Sequence, residues 1–108
     1  MEEDKKRRSD FCIGDREGAS CDAEFTELVV ETLRSMGYNV AVNKPYKGVV
    51  LVQKYSNPEQ NRHSLQIEVS RNLYMDEKTV ERNAGFEKLK ADITCLIKVV
   101  CEFSRSRY

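Results

Sequence analysis

Residues 25–36 form one continuous apolar stripe at helical spacing. Its members fall at i, i+3, i+4, i+7, i+8 and i+11, and they are Phe25, Leu28, Val29, Thr32, Leu33 and Met36. This spacing is typical of a helix with one buried side. Ser20 or Asp22 precedes it as a candidate N-cap, and Gly37 follows where a left-handed residue ends a helix. The chain must therefore form an amphipathic helix, and the remaining segments must cover it.

Short strand patterns flank this helix. Residues 11–13 form an apolar segment before a glycine-containing loop, and residues 40–42 read VAV. Strand, helix and strand in this order predict one right-handed βαβ unit at the start of the domain. The segment 49–55 then begins with four apolar residues in succession, which predicts a further strand that is covered on both faces.

A fourth strand pattern lies in residues 63–77, "HSLQIEVSRNLYMDE". Apolar residues alternate there with polar ones, namely Leu65, Ile67 and Val69 with Gln66, Glu68 and Ser70. This period predicts a strand with one apolar and one polar side. Read by period alone, Glu68 has two interpretations: a solvated side chain on a wet sheet face, or a carboxylate on a rigid strand that acts as a general base.

The last part of the chain predicts a second amphipathic helix. Its apolar face consists of Phe86, Leu89, Ile93, Leu96, Ile97, Val100 and Phe103. Two main amphipathic helices and about four strands predict an α/β fold with a small mixed sheet. Residues 1–10 are highly charged, so we expect a disordered tail there and a folded unit over residues 11–108.

Charge and hydropathy exclude several functional classes. The 18 Lys and Arg residues balance the 18 Asp and Glu residues, so no global field attracts nucleic acid or an anionic membrane. No apolar run reaches the roughly 18 residues of a membrane span, and the first residues are charged where a signal peptide would be apolar. We therefore expect a cytoplasmic protein that binds neither nucleic acid nor membranes.

Cysteine and histidine are too scattered to form a zinc knuckle. The four cysteines are Cys12, Cys21, Cys95 and Cys101, and none of them form a CxxC pair. We expect free thiols, with the last two buried as small hydrophobic side chains in the final helix. His63 is the one histidine. We interpret it as solvated or structural, and a Ser/His or Cys/His pair is the alternative.

Three polar residues near the strands are candidates for a binding site. Asp15 follows the first strand, and ligands of α/β sheets bind at the carboxyl ends of strands. Arg62 and Arg71 lie on either side of the strand that contains Glu68. Arginine binds carboxylates in a bidentate manner, so these two residues suit an acidic substrate. The alternative for each is a solvated side chain or a surface salt bridge.

Three segments resemble the N-formylglutamate amidohydrolase family. They are "SDFCIGDREGASC", "NKPYKG" and "HSLQIEVSRNLYMDE", in the order and approximate spacing in which similar segments occur in that family. The third segment is the most specific, and it matches at Gln66, Glu68, Arg71, Leu73, Tyr74 and Asp76. The second matches at Asn43, Pro45, Tyr46 and Gly48. The resemblance runs from about Ser9 to the end of the last helix.

The resemblance implies a zinc-dependent amidohydrolase whose fold is similar to part of the zinc carboxypeptidases, a phosphorylase/hydrolase-like fold. Its substrate would be N-formyl-L-glutamate, a small acidic N-acyl amino acid that is cleaved to formate and L-glutamate in histidine degradation. By this resemblance, Glu68 is the carboxylate that shuttles the proton. The residues expected to bind the substrate are Arg71, Arg62, Gln66, Asn43 and Tyr46.

Members of this family are longer, and the segments that match form their C-terminal part. The histidines that bind the metal precede that part, so we expect residues 11–108 to include the catalytic carboxylate without the zinc ligands. Missing strands would leave an open sheet edge, which predicts self-association or a need for the N-terminal half. The alternative is a non-catalytic α/β interaction module, or an inactive truncated relative.

Overall fold

Short strands and helices alternate along the chain. The structure, a computed structural model, describes residues 9–44, 50–76 and 78–107. In chain order the elements are β1 (Phe11–Gly14), α1 (Ala23–Ser35), β2 (Val40–Val42), α2 (Val50–Lys54), β3 (Gln66–Val69), β4 (Met75–Asp76), β5 (Glu81–Arg82) and α3 (Phe86–Arg107). Two 3₁₀ turns, Pro58–Gln60 and Arg71–Leu73, lie before and after β3.

Helix α1 ends as its sequence predicts. Gly37 adopts φ +97°, and its N–H donates to the Arg34 carbonyl at 3.0 Å while the Tyr38 N–H donates to the Leu33 carbonyl at 3.2 Å. This pair of bonds is a Schellman motif, which satisfies carbonyls that the helix leaves unpaired. The turn directs the chain back toward the sheet, where β2 begins.

The three-stranded sheet is mixed, as predicted. Its strand order is β2-β1-β3; β1 pairs with β2 in parallel and with β3 in antiparallel orientation. The parallel pair and α1 form the expected βαβ unit. Strands β4 and β5 form a separate antiparallel hairpin. Before β1, Asp10 exchanges hydrogen bonds with Asn39.

The predicted strand over residues 49–55 is wrong. Val50–Lys54 is the short helix α2, in which Val52 is buried. A continuous apolar run has no alternation, so its period does not distinguish a covered strand from a buried helix. The helix is tied to the loop after β1 by the Arg16 guanidinium, which donates to Gln53 Oε1 at 2.9 Å.

The two faces of the sheet differ in character. The register places Phe11 and Ile13 of β1 on the face that also bears Val40 and Val69. That face packs against α1 and α3, and the buried core consists of Phe11, Ile13, Val29, Val30, Leu33, Val40, Leu89 and Leu96. The opposite face bears the side chains of Cys12, Ala41 and Glu68, since residues paired across strands lie on the same side of a sheet.

Helix α3 buries one side only. Leu89 and Leu96 are buried, whereas Ile97 is 57% exposed. All four cysteines are thiols that form no disulfide bond, as predicted, but Cys95 and Cys101 are exposed. Their predicted burial is wrong because they lie on the side of α3 that faces away from the core. Within the described ranges, no helix is both long enough and apolar enough to cross a membrane.

Candidate active site

Glu68 lies at the centre of the polar face of the sheet. It pairs with Cys12 of β1, which pairs in turn with Ala41 of β2. Its side chain is exposed, and the Gln66 amide donates to its Oε1 at 2.9 Å. The carboxylate is therefore mounted on a paired strand, open to solvent, with one oxygen held by a neighbouring side chain.

This arrangement suits proton transfer. A general base must be within hydrogen-bond reach of its substrate, and a paired strand positions a side chain more precisely than a loop does. The hydrogen bond from Gln66 restricts the orientation of the carboxylate. A carboxylate held in this way can exchange a proton with a molecule that hydrogen-bonds to it.

A second polar cluster lies at the carboxyl end of β1, around Asp15. This side chain is buried, with 5% of its surface exposed. Its Oδ1 accepts from Asn43 Nδ2 at 2.7 Å and from the Gly18 N–H at 2.8 Å, and its Oδ2 accepts from Thr26 Oγ1 at 2.8 Å. Burial raises the pKa of Asp15, but the hydrogen bonds from Asn43, Thr26 and Gly18 outweigh it, so the pKa lies below its usual value.

Asn43 joins this cluster to the end of β2. It adopts the left-handed region at φ +58°, which Asn tolerates better than most residues. Its Oδ1 accepts from the Asp15 N–H at 3.0 Å, and its own N–H donates to the Ile13 carbonyl at 2.7 Å. The oxygen and the nitrogen of the Asn43 side chain thus both contact Asp15. Asn43 is also one of the residues that the sequence predicts to bind substrate.

The other predicted substrate-binding residues are spread around β3. The backbone of Arg62 exchanges hydrogen bonds with Asn57 ahead of the strand, and Arg71 begins the 3₁₀ turn that follows it. Both arginine side chains are exposed. The strand β3 lies between these two residues in the chain. Tyr46 lies outside the described residues.

The His63 side chain contacts the residue that precedes α1. Its side chain is 3% exposed, and its Nε2 lies 3.7 Å from Asp22 Oδ2. The Asp22 N–H donates to His63 Nδ1 at 3.0 Å, so the imidazole accepts from the backbone of the residue that precedes the helix. The imidazole is therefore not solvated, and its burial and its bond to the helix start agree with the structural half of the prediction.

The described residues do not by themselves fit a zinc site. Catalytic zinc takes three protein ligands as a rule. Over residues 9–44, 50–76 and 78–107, no group of three or more His, Cys, Asp or Glu side chains is placed to hold a metal ion. The acidic side chains of the polar face and of the buried cluster are engaged by amide and hydroxyl donors instead.

Comparison with known proteins identifies the family. A sequence profile described as N-formylglutamate amidohydrolase matches residues 1–75, which is more than half of the chain. The chain belongs to the N-formylglutamate amidohydrolase family. An N-formylglutamate deformylase of Pseudomonas aeruginosa is 33% identical over 105 residues, and one of Pseudomonas putida is 33% identical over 69 residues.

A solved structure of this amidohydrolase family has the same fold. The crystal structure of N-formylglutamate amidohydrolase from Ralstonia eutropha JMP134 matches 94% of the chain at a TM-score of 0.90, with 46% sequence identity. The predicted α/β class is therefore confirmed. The match covers 36% of that protein, and the chain spans 40% of the Pseudomonas aeruginosa relative and 26% of the Pseudomonas putida relative.

Sequence reasoning missed Thr26, which binds Asp15 in this member of the amidohydrolase family. The buried residues of α1 are Thr26, Val29, Val30 and Leu33. This buried side is rotated about the helix axis relative to the predicted apolar stripe that begins at Phe25. Thr26 precedes Val29 by three residues, so its position on the buried side was the available signal. A hydroxyl on a buried helix face needs a partner, and Asp15 provides it.

Proposed function

We propose that this chain contributes the carboxylate-bearing part of an enzyme that hydrolyses N-formyl-L-glutamate to formate and L-glutamate. Glu68 supports this most directly, because it is an exposed carboxylate on a paired strand in a member of the amidohydrolase family. Water attacks the formyl carbon and the C–N bond breaks. Glu68 accepts the proton of the water and delivers it to the departing amine nitrogen.

The substrate has two carboxylates, which require cationic partners. Arg71 and Arg62 are exposed at the two ends of β3, and a guanidinium binds a carboxylate through two parallel hydrogen bonds. Tyr46, which the family pattern includes, belongs to the same proposal. Gln66 acts on the Glu68 carboxylate, to which its amide donates. A role in histidine degradation in the cytoplasm follows from this choice of substrate.

Zinc is part of the proposal through the family resemblance. In this proposal the zinc ligands lie outside the described residues, and the chain corresponds to the C-terminal part of the longer relatives. The zinc supplies Lewis-acid activation of the water and the formyl group when it is bound.

The open edge of the sheet favours association. Among the described residues, β1 is the one strand that pairs with β2, so the outer edge of β2 is open. The sequence of β2 is VAV, without the charge or proline that protects many edge strands. We therefore include in the proposal that this edge pairs with a second strand, either from another copy or from the remaining part of the family's fold.

Glu68→Gln tests the proposed catalytic role. The substitution preserves the shape of the side chain and removes the base, so formate release from N-formyl-L-glutamate should fall by about 10²- to 10⁴-fold. The matched control is Glu81→Gln, an exposed carboxylate in the β4–β5 hairpin, which should leave the rate unchanged. A Glu68→Gln protein that retains the normal rate would show that another group transfers the proton.

The assay should be run on the chain with zinc, and again with the unmatched part of the Ralstonia eutropha enzyme added as a second polypeptide. We expect turnover and stoichiometric zinc in the second preparation. A folded complex that binds zinc and yet releases no formate would contradict the amidohydrolase proposal. It would favour the alternative of an inactive relative.

A further inference from the structure

Two Asp–Asn pairs bracket the parallel strands β1 and β2. At the amino ends, the Asp10 N–H donates to Asn39 Oδ1 at 2.6 Å and the Asn39 N–H donates to Asp10 Oδ2 at 3.0 Å. At the carboxyl ends, the Asp15 N–H donates to Asn43 Oδ1 at 3.0 Å and Asn43 Nδ2 donates to Asp15 Oδ1 at 2.7 Å. The bonds of the first pair are exposed, whereas Asp15 is buried.

The buried pair is held by more elements than the exposed one. Thr26 of α1 donates to Asp15 Oδ2, and the Gly18 N–H of the intervening loop donates to Oδ1. The Asp15 carbonyl also accepts from the Ser20 N–H at 3.0 Å. A buried carboxylate with this many donors has one favourable orientation, since each donor left unpaired costs free energy.

The chain direction after β2 depends on Asn43. Its left-handed conformation (φ +58°) turns the backbone at the strand end. The next residue places its carbonyl against the polar face of the sheet, where Cys12 Sγ donates to the Lys44 oxygen at 3.1 Å. Cys12 is the cross-strand partner of Glu68. The turn at Asn43 therefore brings Lys44 onto the face that bears Glu68.

We propose that Asp15 is a positioning residue of this site: through the Asn43 side chain it fixes the turn that places the Lys44 backbone against Cys12, on the face that bears Glu68. This inference rests on the proposed function, because it treats that face as the place of reaction. Asp15 lies behind the face and acts through Asn43. Loss of either partner frees the turn, uncovers Cys12 and disturbs the surroundings of Glu68.

The alkylation rate of Cys12 reports directly on this turn. The chain is prepared with Cys95→Ser and Cys101→Ser, because those two thiols are exposed, and it is treated with N-ethylmaleimide. Modification of Cys12 and of Cys21 is followed separately by peptide mass spectrometry. Asn43→Gly removes the amide and still permits a positive φ, so the rate at Cys12 should rise by about tenfold while Cys21 changes little.

Two further variants complete the test. Asp15→Asn should also raise the Cys12 rate, because a neutral amide replaces the ionised acceptor and leaves one oxygen fewer for the surrounding donors. The exchange of Asp15→Asn with Asn43→Asp should lower the rate again, because a carboxylate once more accepts from a side-chain amide. Asp10→Asn removes the equivalent carboxylate at the other end of the same strands and should have no effect on Cys12. Unchanged Cys12 rates in both Asn43→Gly and Asp15→Asn would overturn the proposal.

Measurements of kcat test the positioning role of Asp15 separately from the proposed function. In a preparation that releases formate, Asp15→Asn should lower kcat by about 10²-fold, as expected when reacting groups move by about 1 Å, and the exchange should restore part of it. A normal kcat in Asp15→Asn would overturn the positioning role. If Glu68→Gln has no effect, the proposed function fails, and the Cys12 rates still decide whether Asp15 holds the turn.

Discussion

At the scale of single residues, Asp15 links stability to pH. Burial raises its pKa, and the hydrogen bonds from Asn43, Thr26 and Gly18 more than offset this, so the pKa in the folded chain lies below the ordinary value of 3.8. A carboxyl group whose pKa is lowered by folding stabilises the folded state above its unfolded pKa. That contribution is lost as the pH falls from about 4 through the folded pKa.

Asp15→Asn should therefore reduce stability in a pH-dependent way. The free energy of unfolding, measured with denaturant, should be lower than normal at pH 7, and the difference should shrink at about pH 3 and below as the native carboxylate is protonated. Asp10→Asn is the control, because it removes the carboxylate of the other Asp–Asn pair between the same strands, whose hydrogen bonds are exposed. A deficit that stays constant from pH 7 to the acid limit would contradict the ionised state of Asp15.

At the scale of elements, the start of α1 is stabilised from the entry to β3. Asp22 precedes the helix without a side-chain capping bond, and its N–H is bound by His63 instead. The neighbouring Ser64 exchanges hydrogen bonds with Ser20, since Ser20 Oγ donates to the Ser64 carbonyl and the Ser64 N–H to the Ser20 carbonyl. The β3 entry thus fixes the loop from which α1 begins.

His63→Ala should destabilise the chain by about 1–3 kcal/mol, because it removes a buried acceptor and its packing against Phe25. The free energy of unfolding by urea measures this. Arg62→Ala is the matched control at the adjacent exposed position and should change stability by less than about 0.5 kcal/mol. Equal effects of the two substitutions would argue against a structural role for the imidazole.

Sequence reasoning succeeded at the element scale where a local signal decided the structure. The glycine after the α1 stripe and the alternation around Glu68 gave the helix end and β3, and the order of elements gave the mixed sheet. It failed at residues 49–55, where an unbroken apolar run has no period to distinguish strand from helix. It also placed Cys95 and Cys101 in the core, because their burial depends on which side of α3 other elements cover.

The candidate site was predictable only in part, since its contacts join distant segments. Glu68 was identified from one strand and its family pattern. Asp15 and Asn43 were each noted, but their contact spans 28 residues and depends on the parallel register of β1 and β2. A useful rule is that polar residues directly after two parallel strands lie at one edge of a sheet. That rule would have suggested the contact between Asp15 and Asn43.

At the scale of the whole molecule, the edge of β2 is the feature with the clearest consequence, because no other strand within residues 9–44, 50–76 and 78–107 pairs with it. The chain matches 36% of the Ralstonia eutropha enzyme and superposes on that part with a TM-score of 0.90. Balanced charge provides no repulsion between copies, since 18 basic residues match 18 acidic ones. Arg34 Nη2 binds the Val40 carbonyl at 3.1 Å, which covers one acceptor of this edge and leaves the edge otherwise able to pair.

Ala41→Lys should reduce association through this edge. The chain alone should show a concentration-dependent increase in sedimentation coefficient, because a second strand satisfies the open backbone groups of β2. A lysine at the centre of the strand places a charge at the contact and should shift the chain toward monomer. Ala91→Lys, the same substitution at an exposed position on α3, is the control and should behave as the unmodified chain. An unmodified chain that stays monomeric at all concentrations, or an Ala41→Lys chain that associates normally, would show that the β2 edge does not drive assembly.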